Sequence, residues 1–89
     1  MNKFIFTKFA QKRITNLPVP AQKRILNKLK SLKTHDDIFT ILKKLHKFEP
    51  ATHRLRIGDY RAILELKEMD KKETLFHILD VGIRSKIYK

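Results

Sequence analysis

The chain predicts an α+β fold in which an N-terminal strand and a helical hairpin pack on one face of a small antiparallel sheet. Three observations carry this. Residues 53–66 (HRLRIGDYRAILEL) hold two alternating runs around Gly58-Asp59, residues 7–33 carry two stripes of apolar residues at helical spacing, and residues 74–81 (TLFHILDV) are apolar at both parities. The order β, α, α, connection, β, β, β puts helices together and strands together, as expected of α+β rather than of a parallel βαβ plan. With 89 residues, 42% of them hydrophobic, and only two glycines and three prolines, the chain reads as one domain over residues 1–89. A chain of this length buries roughly 60–65% of the surface it exposes when unfolded, enough for one modest core.

Residues 3–7 (KFIFT) are a short Phe- and Ile-rich run, more easily buried as a strand than started as a helix. Thr7 can cap the helix that follows, whose inner face takes Phe9 or Ala10, Ile14 and Leu17, and Asn16-Leu17-Pro18 ends it. Pro20 suits the first turn of a second helix. Ala21, Ile25, Leu29 and Leu32 form its stripe, and Lys23, Arg24, Lys28, Lys30 and Lys33 read as its solvated flanks. After a turn at residues 34–37, Ile38, Ile41, Leu42 and Leu45 have the spacing of another short helix or an ordered connection. A second hairpin strand to about Leu66, a charged turn at residues 67–73 (KEMDKKE) and a central strand at 74–81 complete the sheet. Gly82 then opens the tail, GIRSKIYK.

The hairpin is the most informative stretch. Gly followed by Asp suits a two-residue primed turn, whose twist matches that of the strands. Ile57 then pairs with Tyr60, Arg56 faces Arg61 and Arg54 faces Ile63. Alternation sends Leu55, Ile57, Tyr60, Ala62 and Leu64 to one face and Arg54, Arg56 and Arg61 to the other. Like charges facing each other across a ladder cost stability, so their concentration points to an anionic partner. The plainer reading is that these arginines decorate an exposed face and pair with Glu65 or Asp80.

Composition narrows the function classes. Lys and Arg total 21 against nine Asp and Glu, a formal charge of +12, which fits nucleic acid, an acidic membrane surface or an acidic protein. The absence of cysteine excludes disulfides and thiol chemistry and fits a cytoplasmic setting. No run approaches the roughly 18–20 apolar residues of a membrane span, and no secretory signal opens the chain. Phosphate-binding glycine loops, HExxH and a serine triad are all missing, so nucleotide and metal enzymes are not expected. His35 and His46 lack companions at ligand spacing, and no metal or cofactor is assigned.

The segment HRLRIGDYRAILEL, followed after a charged turn by ILDVGIRSKIY, resembles the C-terminal half of the RelE/ParE toxins of type II toxin-antitoxin systems. Its match to Tyr-Arg-Leu-Arg, Gly-Asp, Tyr-Arg and Val-Gly-x-Arg-x-x-x-Tyr is specific, and FTKFAQKRITNLP fits the start of such a domain. The resemblance, closer to the RelE branch, implies a RelE-like fold and a ribosome-dependent endoribonuclease that cuts mRNA in the ribosomal A site. Attack by the substrate's own 2′-hydroxyl on the adjacent phosphate needs no metal. It also implies a cognate antitoxin as partner. By the same resemblance Arg61 stabilises the transition-state phosphate, Arg84 supports the phosphate or leaving oxygen, Tyr88 positions or activates the 2′-hydroxyl, and Arg54 and Arg56 hold substrate.

Three departures stand out. Arginine occupies first-strand positions where some relatives carry lysine, and its pKa above 12 makes it a poor proton acceptor. His53 replaces the usual tyrosine and, by alternation, falls on the Leu55 side, which suits packing. Ile83 stands where many relatives carry a polar or basic residue. The alternatives are a ParE-like inhibitor of DNA gyrase, or a degenerate relative that only binds antitoxin or nucleic acid.

Overall fold

The structure is a computed structural model that describes residues 1–83. Strand β1 (Asn2–Phe6) leads into helices α1 (Lys8–Thr15) and α2 (Val19–Leu32), and a 3₁₀ turn (Ile38–Thr40) precedes β2 (Lys43–Lys44). Strands β3 (His53–Ile57), β4 (Tyr60–Met69) and β5 (Thr74–Ile83) follow. The five strands form one sheet in the order β1-β5-β4-β3-β2.

Local chemistry sets the helix ends. The Thr7 side chain accepts from the Ala10 N–H at 3.1 Å, an N-cap that satisfies one orphan donor of α1. Ala10 and Ile14 turn inward, whereas Phe9 is 58% exposed and lies beneath the Arg13 guanidinium, 5.7 Å from its ring centre. Helix α2 buries Ala21, Ile25, Leu29 and Leu32, the stripe expected from spacing. Its C-terminal carbonyls are met by the N-terminus of the chain: the buried Asn2 side chain donates to Leu32 O (2.7 Å) and His35 O (2.8 Å), and the Asn2 N–H donates to Lys33 O (2.8 Å). The same amide accepts from Thr74 Oγ1 at 2.7 Å, so one residue ties β1, α2 and β5 together.

The sheet is mixed, not wholly antiparallel as expected. Strand β1 runs parallel to β5, Asn2 opposite Thr74 through Phe6 opposite Ile78. Patterning identifies a strand and its buried face but carries no information about the direction of its neighbour, and the Asn2 anchor at the α2 terminus sets that direction here. β2 is a strand where a connection or short helix was expected. Two consecutive lysines show no alternation, and of the apolar residues before and after them only Ile38 and Leu42 are buried. Strand β4 runs on to Met69, which shortens the turn to residues 70–73. There Asp70 accepts from the N–H groups of Lys72 and Glu73, both at 2.8 Å, and these two bonds hold its carboxyl below the usual carboxylate range. Gly82 lies inside β5 rather than opening the tail.

β5 is central, as expected. A bulge sits in its pairing with β4, where Ile63 opposes Asp80 and Leu64 opposes Ile78, leaving Leu79 without a partner position. The bulge explains the mixed parity of this run: Phe76 and Ile78 face the core before it, and Val81 faces the core after it. Both helices cover the sheet face that carries Leu55, Ile57, Ala62, Leu64, Phe76, Ile78 and Val81, and Phe4 stacks on Phe76 with ring centres 5.6 Å apart. The opposite face of the hairpin carries the arginines.

A candidate phosphate-binding face

The hairpin register is the one read from the turn. Ile57 opposes Tyr60, Arg56 opposes Arg61, and Arg54 opposes Ile63. Gly58 takes φ +59°, and a Cβ there would lie 3.2 Å from Arg24 Nη1 of α2. Both the left-handed backbone and the close guanidinium require glycine, so Gly58→Ala is expected to lower stability by about 1–2 kcal/mol, read as a shift in denaturant midpoint.

Side-chain parity places Leu55, Ile57, Ala62 and Leu64 in the core, with Tyr60 packed at its margin. Arg54, Arg56 and Arg61 project from the other side of the ladder. Arg56 is exposed and its Nε donates to Gly58 O at 3.3 Å, while Arg54 and Arg61 are half-buried. β2 adds a cation, because Lys43 is the register partner of Arg54. The face therefore has one row of Lys43, Arg54 and Ile63 and a second of Arg56, Arg61 and Gly82. The rows lie about 7 Å apart along the strands. Gly82 beside Arg61 offers no side chain, which leaves lateral room for a guanidinium and a ligand.

The two carboxylates suggested as arginine partners have cationic neighbours elsewhere. Asp80 accepts from Arg13 Nε at 2.9 Å and from the Val81 N–H at 2.8 Å, and Glu65 lies 3.6 Å from Lys67 Nζ. The α2 cations read as a solvated flank take a different place from the one expected. Lys23, Arg24 and Lys28 share an open groove of about 740 Å³ with Arg56 and Gly58, extending the positive surface around the hairpin tip. The spacing of α2 shows these residues at the edge of its apolar stripe, but not that the hairpin turn docks beside them.

Arg84 and Tyr88 lie outside the described residues, so three of the five candidate residues are placed and share one face. A planar guanidinium donates paired hydrogen bonds to phosphate oxygens and keeps its charge across the physiological range, so three of them on a rigid hairpin form a wall that can grip a phosphodiester. Among the described residues no group of three or more His, Asp or Glu is arranged to hold a metal ion, and no helix is long and apolar enough to cross a membrane.

His53 has the packing role its parity suggested. It is 8% exposed, stands edge-on to Phe76 at 6.0 Å and tilted to Phe39 at 5.4 Å, and its Nδ1 lies 2.9 Å from Thr52 Oγ1. Burial lowers its pKa from the ordinary value of 6.5, and the nearby Lys44 charge lowers it further. A depressed histidine pKa means that the unfolded chain binds the extra proton first. Its contribution to stability is whole above about pH 6.5 and is lost as the pH falls toward the folded-state pKa. Thermal unfolding is expected to shift to lower temperature as pH drops below about 6.5, and His53→Phe should flatten that slope.

No family model and no curated protein matches the chain. Solved structures do. The RelE–RelB complex of Pyrococcus horikoshii superposes with a TM-score of 0.67 at 23% identity over 96% of this chain and 97% of that one. The RelBE2 toxin-antitoxin complex of Mycobacterium tuberculosis gives 0.62 at 26% identity over 92% and 96%, and the RelBE complex of E. coli gives 0.62 at 17% identity over 91% and 94%. With nearly all of both chains aligned in each case, the protein is RelE-like in fold, from β1 to the arginine-bearing hairpin and β5.

Proposed function

We propose that this chain is the toxin of a toxin-antitoxin pair, a cytoplasmic ribosome-dependent endoribonuclease that cleaves mRNA in the A site. The observation that carries the reading is the hairpin: three guanidiniums project opposite the core, on a fold shared with RelE chains solved in complex with RelB. In the proposed reaction the 2′-oxygen bonds to phosphorus and its proton passes to a base. The 5′-oxygen leaves and is protonated, giving a 2′,3′-cyclic phosphate and a free 5′-hydroxyl. Arg61 stabilises charge on the phosphoryl oxygens, Arg54 and Arg56 hold the substrate backbone, and Arg84 supports the leaving oxygen.

Arginine is too basic to accept the 2′-hydroxyl proton, which assigns that role to Tyr88, its phenol made more acidic by neighbouring positive charge. A cognate antitoxin with an acidic or amphipathic segment covers the basic face and holds the activity in check. The test is the purified full-length chain on programmed ribosomes. Cleavage within the A-site codon is expected, and ribosomes left intact while DNA gyrase stalls would replace this reading with the ParE-like one.

A further inference from the structure

The loop between β2 and β3 holds a feature that the arginine wall does not use. Residues 43–48 (KKLHKF) interleave cations with an aromatic residue, and the fold gathers them into a pocket of about 430 Å³ lined by Lys43, Lys44, Leu45, His46, Phe48 and Arg54. No carboxylate lines it. Phe48 is 49% exposed, a large apolar surface to leave in water beside so much charge.

The loop is built to hold this shape. The Leu45 N–H donates to Thr52 O at 2.9 Å, the Ala51 N–H donates to Phe48 O at 2.9 Å, and the Thr52 N–H donates to Leu64 O at 2.8 Å. Thr52 Oγ1 also accepts from the Leu66 N–H at 2.8 Å, tying the base of the loop to β4. Lys47 adopts a left-handed φ of 63°, a conformation uncommon for a non-glycine residue, and this reversal precedes Phe48. Arg54 belongs both to this pocket and to the arginine face, and Lys43 is its cross-strand partner.

An aromatic face set among cations, continuous with a phosphate-gripping wall, has the chemistry of single-stranded nucleic-acid recognition. A base stacks on the ring while lysine and arginine hold the flanking phosphate. We infer that Phe48 is the stacking platform of a nucleotide subsite for single-stranded RNA, with Lys43 and Arg54 gripping the phosphate that links this nucleotide to the one on the Arg56–Arg61 row. The subsite deepens the nuclease reading and rests on it for its biological role, but binding can be tested without cleavage.

The chain contains no tryptophan, so Phe48→Trp places a single fluorescent reporter in the full-length protein. It is titrated with a short 2′-O-methyl RNA, which offers no attacking hydroxyl, and with an abasic phosphodiester of the same length. Quenching by the RNA but not by the abasic strand is expected. Phe48→Ala should weaken RNA binding by roughly 5- to 100-fold, the range for losing one base-aromatic stack, with Phe48→Tyr restoring it. Equal quenching by both strands, or RNA binding by Phe48→Ala as tight as by the parent, would overturn the subsite. Selective quenching with programmed ribosomes left uncut would uphold the subsite and defeat the nuclease reading alone.

Discussion

Arg61→Ala is expected to slow A-site cleavage by about 10²–10³-fold, the scale of losing one preorganised charge-stabilising group aimed at a developing oxyanion. Arg61 sits mid-hairpin on β4, opposite Arg56 and beside Gly82 of β5, so its base is held by ladders on both sides. Holding a guanidinium there before substrate arrives carries a standing cost. Arg56 and Arg61 face each other across the ladder, an arrangement that is unfavourable until an anion lies between or above them. A bound phosphodiester neutralises that repulsion, and the repulsion is reduced further as negative charge accumulates on phosphorus-bound oxygens in the transition state. Arg61→Lys keeps the charge but loses the planar fork, so it should recover only part of the rate. Single-turnover cleavage on programmed ribosomes reads the effect, with thermal unfolding of each variant measured alongside.

The largest effect on stability is expected at Phe76. It is fully buried in central strand β5, stacked on Phe4 with ring centres 5.6 Å apart and flanked by Phe39 and His53, both at 6.0 Å. Truncation removes the one ring that joins the β1 edge, the 3₁₀ turn and the β3 end of the core, and close-packed neighbours collapse only partly into the gap. Phe76→Ala should cost about 3–5 kcal/mol. A domain of this size has roughly 4–13 kcal/mol of total stability. The variant should therefore unfold at a much lower denaturant midpoint with an unchanged slope, and should be partly unfolded at 37 °C.

Much of this fold is legible from residue spacing, where local chemistry leaves a single answer. Thr7 before a helical stripe, Pro20 in a first turn, and Gly58-Asp59 between alternating runs each fix an element boundary or a register, and the facing of Arg56 and Arg61 follows from the turn alone. What alternation cannot express is which way a neighbouring strand runs, so β1 pairs parallel to β5 where an antiparallel sheet was expected. Nor can it reveal a two-residue strand made of lysines. The bulge that leaves Leu79 unopposed made β5 look apolar on both faces when the core face in fact changes parity along it.

The site divides in the same way. Arg54, Arg56 and Arg61 are legible because period-two geometry must place them together, whereas Lys43 joins them only through the β2–β3 ladder and Arg24 only because α2 docks beside the Gly58 turn. The cation-aromatic run KKLHKF was visible as composition, but its meaning depends on the loop that folds Phe48 back toward Arg54.

The most direct test of the proposed reaction is a message carrying a single 2′-deoxy nucleotide at each position of the A-site codon in turn, presented on ribosomes to the full-length chain. Removing the hydroxyl adjacent to the scissile phosphate should abolish cleavage there, while the all-ribose message is cut to a 2′,3′-cyclic phosphate and a 5′-hydroxyl. Cutting of the deoxy-substituted message at the same bond and the same rate would contradict attack by the substrate's own 2′-hydroxyl, and with it the role assigned to the arginine face.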